Sequence, residues 1–82
     1  MVIVAYNDEF QKTFSKIKDA LLKQKVLKQL SKLRDYPEVG KPMRFARQGT
    51  REIHISPYRL SYLFLKDQNK IIILDLYHKD EQ

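Results

Sequence analysis

Phe10, Phe14, Ile17 and Leu21 recur at spacings of four, three and four, the repeat of one helix face. Leu22, Val26, Leu30 and Leu33 continue the repeat on a rotated stripe. The rotation falls near Lys18-Asp19, where Asp19 can cap a second helix, so the pattern predicts a helical hairpin rather than one long helix. Ahead of it, the β-branched run from Val2 to Tyr6 reads as a strand, and Asn7 or Asp8 supplies an N-cap. Asp35-Tyr36-Pro37 ends the helical region, because proline disfavours helical geometry in the residue before it. A loop from Pro37 to Pro42 follows. Met43 to Arg47 and Arg51 to Ser56 read as strands separated by Gln48-Gly49-Thr50, with a tight turn at Ser56-Pro57.

The last third reads as a hairpin of Tyr58 to Lys66 and Lys70 to Lys79. A turn centred between Gln68 and Asn69 would set Phe64 opposite Ile73 and Arg59 opposite His78. Directly opposite residues share a face, so a guanidinium would meet an imidazole at the open end of an apolar hairpin. In that register Leu60, Tyr62 and Phe64 point one way, and Leu63, Leu65, Ile72, Leu74 and Leu76 the other. Both faces are apolar, yet one helical layer covers only one of them, which leaves the second for a loop or a bound partner. The predicted fold class is α+β: an N-terminal strand, a two-helix hairpin, then a four-stranded, largely antiparallel sheet, with residues 1–82 as a single domain.

Composition narrows the function classes. The 82 residues are 43% hydrophobic and 32% charged, which describes a folded chain with one modest core. No apolar run approaches the roughly 20 residues that span a bilayer, and the N-terminus lacks a basic leader. Cysteine is absent, which excludes disulfides and thiolate metal sites. These features fit the cytoplasm, with no membrane partner expected. The net charge of +6 is unevenly placed: Lys41, Arg44, Arg47 and Arg51 form a basic run without an acid, and Arg59 follows. Arginine's forked guanidinium suits phosphate, so nucleic acid or an acidic protein is the natural partner. The lysine-rich stretch from Lys12 to Arg34 reads mostly as a solvated helix face.

With glycine only at 40 and 49, the chain has no phosphate-cradling loop and no dinucleotide fingerprint. Its two histidines, His54 and His78, have no metal-ligand spacing with Glu52 or Asp75, so neither metal nor cofactor is expected. His54 alternates with Ile53 and Ile55, which places it on the less buried face of its strand as a surface histidine. His78 ends a strand beside Lys79 and, in the register above, near Arg59, which makes it the stronger candidate for proton transfer.

The element order, the Gly40-Lys41-Pro42 turn, the Tyr58-Arg59-Leu60-Ser61-Tyr62 strand and the ending Leu76-Tyr77-His78-Lys79 resemble the RelE/ParE toxin superfamily of toxin–antitoxin systems. The resemblance covers essentially the whole chain. It implies a small basic ribonuclease that enters the ribosomal A site, cuts messenger RNA and is held by an acidic cognate antitoxin. By position, it implies that Arg59 contacts the scissile phosphate. His78 would transfer a proton as in YoeB-like members, Lys79 would fall near RelE's basic general acid, and Lys41, Arg44, Arg47 and Arg51 would contact RNA. Met43 stands where YoeB-like members carry a glutamate, and the ending Asp80-Glu81-Gln82 lacks the terminal tyrosine of many RelE-like members. The general base is open among His54, Glu52 and Tyr58. Two other readings share these features: a ParE-like toxin acting on DNA gyrase, and a noncatalytic RNA-binding module that uses the arginine patch alone.

Overall fold

The computed structural model describes residues 2–43 and 49–81. Strand β1 (Ile3–Tyr6) leads into helix α1 (Asp8–Lys16), whose N-cap Asn7 accepts a hydrogen bond from the Phe10 backbone N–H at 3.1 Å. Helix α2 (Ala20–Asp35) starts where the rotated stripe predicts. Asp19 caps it by accepting from the backbone N–H groups of Leu21 and Leu22, so the break needs neither glycine nor proline. Four strands follow: β2 (Lys41–Pro42), β3 (Thr50–Ile55), β4 (Tyr58–Leu65) and β5 (Lys70–His78). They form one five-stranded sheet in the order β1-β5-β4-β3-β2, in which β1 runs parallel to β5 and the other pairs are antiparallel. The α+β class and the strand–helix–helix–four strands order stand as predicted, but β2 (Lys41–Pro42) falls inside the expected Pro37–Pro42 loop, where it pairs with β3. Of the expected strand from Met43 to Arg47, all but Met43 lies outside the described residues. Among the described residues no helix is long and apolar enough to cross a membrane.

Both helices pack on one sheet face. Phe10 and Ile17, with Val26, Leu30 and Leu33 of α2, close over Ile55, Leu60, Tyr62, Ile71, Ile73 and Leu76. Each such aliphatic side chain contributes about 1.5–3 kcal/mol by leaving water.

The final hairpin departs from the predicted register. Lys66–Gln68 form a 3-10 turn and Asn69 adopts the left-handed conformation with φ 51°, so Leu65 pairs with Lys70 and Phe64 with Ile71 instead of Ile73. Beyond the turn a bulge shifts the pairing again: Tyr62 pairs with Ile73 but Ser61 with Asp75, which leaves Leu74 as the extra residue on β5. Two consequences follow. Leu76 turns to the helix face with Leu60, not to the outer face with Leu63. Arg59 lies opposite Tyr77, while His78 lies opposite Tyr58, so Arg59 and His78 occupy opposite faces of the sheet. The expected Arg59–His78 pair does not form.

Tyr62 also anchors the loop ahead of β2. Its buried hydroxyl donates to the Pro37 carbonyl at 2.8 Å and accepts from the Gly40 N–H at 2.9 Å. A Cβ on Gly40 would sit 2.6 Å from both Cε1 and the hydroxyl oxygen of Tyr62, so the loop needs glycine for close approach. Gly40→Ala should lower stability by about 1–3 kcal/mol, the usual range for overpacking, read as a shifted urea midpoint with unchanged m-value. Burial holds the Tyr62 phenol above its ordinary value, with the Gly40 N–H and Arg51 opposing the rise. The neutral phenol is therefore the form the fold retains. Its contribution is complete below the unfolded phenol value of about 10 and is lost as pH rises through the higher folded value. Tyr62→Phe should lower neutral stability and remove this alkaline limb, leaving a flatter stability profile above about pH 10.

Candidate functional site

Alternation along β3 sends Ile53 and Ile55 toward the helices and Glu52 and His54 to the opposite, open face. The two-residue Ser56-Pro57 connection pairs Ile55 with Tyr58 and therefore sets His54 directly opposite Arg59. In such a pair the Cβ atoms are about 4.5–5.5 Å apart. A guanidinium and an imidazole thus share one face, but the imidazole belongs to His54. His54 is exposed, as its alternation with two isoleucines predicts. Tyr77, opposite Arg59 on the other side, completes a row of three side chains across β3, β4 and β5.

Glu52 organises this row from beneath. Its side chain is only 3% exposed, against 26% for Arg59, and its Oε1 lies 3.7 Å from Arg59 Nη1. The Tyr77 hydroxyl donates to Oε2 of the same carboxylate. A carboxylate so deeply placed requires charge and hydrogen-bond partners, and the open face supplies both. The Arg59 Nε is buried and has no hydrogen-bond partner among the described residues. Lys79 follows the end of β5 and is exposed; its backbone N–H donates to the Pro57 carbonyl at 3.0 Å. That bond ties Lys79 to the turn joining β3 and β4, at the same end of the sheet as His54 and Arg59.

His78 is differently engaged. It faces the helix side, edge-on to Tyr58 with ring centroids 5.6 Å apart, in a small cavity lined also by Thr13, Lys16 and Ile17. Its Nδ1 accepts the backbone N–H of Asp80 at 3.2 Å and lies 3.6 Å from the Asp80 carboxylate. Acceptance at Nδ1 leaves the proton of the neutral ring on Nε2. Among the basic run, Lys41 is exposed on β2 opposite Glu52. Arg51 is committed to the loop: one Nη1 donates to the carbonyls of Glu38 and Gly40, both at 2.9 Å. Arg44 and Arg47 lie outside the described residues. Among the described residues, no cluster of three or more histidines and acids is arranged to hold a metal ion.

No curated protein matches the sequence. The fold has close counterparts among solved structures. A chain of the toxin–antitoxin complex RelBE2 from Mycobacterium tuberculosis is 25% identical, with a TM-score of 0.81 over 95% of this chain and 98% of that one. The YoeB/ParE toxin from Agrobacterium tumefaciens is 12% identical, with a TM-score of 0.83 over 94% and 98% of the two chains. A chain of the archaeal RelE–RelB complex from Pyrococcus horikoshii is 16% identical, with a TM-score of 0.80 over 99% and 98%. A family model described as the ParE toxin of the type II toxin–antitoxin system parDE matches residues 4–82. The chain therefore belongs to the ParE toxin family, within the RelE/ParE superfamily of type II toxins.

Proposed function

We propose that this toxin is a ribosome-dependent messenger RNA endonuclease whose chemistry sits on the open sheet face around Arg59. The observation that carries this reading is the cross-strand pairing of Arg59 with His54, which sets a phosphate-binding fork beside an exposed proton acceptor. In metal-independent cleavage the 2′-oxygen attacks phosphorus, the P–O5′ bond breaks, and the products are a 2′,3′-cyclic phosphate and a 5′-hydroxyl. His54 takes the 2′ proton, and Arg59 stabilises charge gathering on the phosphoryl oxygens. The Lys79 ammonium, at the same end of the sheet, gives a proton to the departing 5′-oxygen, which completes the 5′-hydroxyl. No cofactor enters the scheme, and alignment on the ribosome contributes by bringing the 2′-oxygen in line. Translating ribosomes incubated with the purified chain should yield message fragments with those two end groups; intact message would reject the reading.

A second reading has its own support. The matching family model is that of ParE, and Arg59 already has an acid within reach, which lowers its call on RNA phosphate. A ParE-like toxin acting on DNA gyrase would leave message intact and produce gyrase-dependent breaks in plasmid DNA in the parallel assay.

We also propose a cytoplasmic acidic antitoxin as partner. Two of the structural relatives come from toxin–antitoxin complexes, and this chain carries a net charge of +6. Association with that antitoxin should slow by about tenfold or more between low and physiological salt, as steering between opposite charges is screened. Stopped-flow rates that ignore salt would remove charge as the basis of recognition.

A further inference from the structure

The geometry points to Glu52 as a positioning residue that holds Arg59 in its working orientation. This inference rests on the RNA-cleavage reading above and deepens it. Glu52 is the one acid among the buried residues of the described chain, and it sits on the sheet face away from the helical core. A buried carboxylate is costly unless paired, and here one oxygen faces Arg59 Nη1 while the other accepts from Tyr77. The two partners come from different strands, so one carboxylate fixes the spacing between β4 and β5 side chains across the row.

The position of Glu52 argues against its acting on RNA directly. With 3% of its side chain exposed, it offers no surface for a ribose hydroxyl to approach. Proton acceptance falls instead to His54, which is exposed on the same strand and face. What Glu52 supplies is orientation. Arg59 Nε is withdrawn from solvent without a hydrogen-bond partner among the described residues, an arrangement a mobile arginine would abandon. The carboxylate pull on Nη1 holds the guanidinium in place despite that loss, with its plane set before a phosphate arrives.

The test separates orientation from simple stability. Glu52→Gln keeps shape and one hydrogen-bond acceptor but removes the charge. Arg59 would then carry uncompensated charge in a loosened pose. We expect tighter RNA–ribosome engagement, with KM falling a few-fold, and kcat falling by about 10–100-fold. A merely structural role would reduce the active fraction and leave KM unchanged. A double-mutant cycle adds a second criterion: on an Arg59→Lys background, Glu52→Gln should cause little further loss. Equal losses on both backgrounds would show that Glu52 does not act through Arg59.

A nuclear magnetic resonance measurement keeps the inference independent of cleavage. In the wild-type chain the Arg59 Nε–H should give a resonance protected from solvent exchange, and Glu52→Gln should abolish that protection in a folded protein. Protection unchanged in Glu52→Gln would overturn the positioning role. If wild-type chain cuts no message on ribosomes, the endonuclease reading fails, while loss of protection in the variant would still show that Glu52 orders Arg59.

Discussion

Arg59→Lys is expected to lower message cleavage by about 10²–10³ while leaving the fold and its stability close to wild type. Lysine keeps a positive charge within reach of the Glu52 carboxylate, which is 3% exposed and 3.7 Å from the present guanidinium. It loses the planar fork that can engage two phosphoryl oxygens at once. Arg59→Ala should lose as much activity and also stability, because it removes the cation 3.7 Å from the buried Glu52 carboxylate. The pair of variants thus separates charge from fork geometry. Single-turnover cleavage on translating ribosomes, with urea unfolding alongside, reads both quantities. A fully active Arg59→Lys would show that a point charge suffices.

The second large effect divides the histidines. His54→Gln should slow cleavage by roughly 10²–10⁴, the usual span for general acid–base catalysis, because His54 shares its face with Arg59. His78→Gln should cut within a few-fold of wild type, since His78 lies on the helix face against Tyr58. A silent His54→Gln with an inactive His78→Gln would move the chemistry to the other side of the sheet.

The sequence carried most of the architecture and part of the site, for identifiable reasons. The helix break was readable because Asp19 is a strong N-cap and the apolar stripe rotates there. The β4–β5 register was not, because it depends on a 3-10 turn with left-handed Asn69 and on the bulge at Leu74. Neither feature carries the glycine that usually advertises it. The slip by one position sent His78 to the wrong face and with it the expected partner of Arg59. The true partner was within reach of the same reasoning. Ser56-Pro57 is a two-residue connection, which pairs Ile55 with Tyr58 and hence His54 with Arg59. That shorter hairpin fixes its register more tightly than the longer turn. Glu52 was legible as a face-mate of His54 through the Glu52-Ile53-His54-Ile55 alternation, but its burial and its bond to Tyr77 arise only when three strands assemble. Arg51 shows the converse. It belongs to a basic run that suggests RNA, and the fold directs its guanidinium to the loop carbonyls of Glu38 and Gly40.

The most direct measurement is the structure of the wild-type chain on a ribosome whose A-site codon carries a 2′-deoxy sugar, which blocks attack and traps the bound state. On the endonuclease reading the target phosphate is expected against the open face, within about 2.7–3.2 Å of the Arg59 guanidinium, with His54 directed at the sugar and the helices turned away. A messenger strand seated on the helix side beside His78, or no engagement of the codon at all, would contradict it.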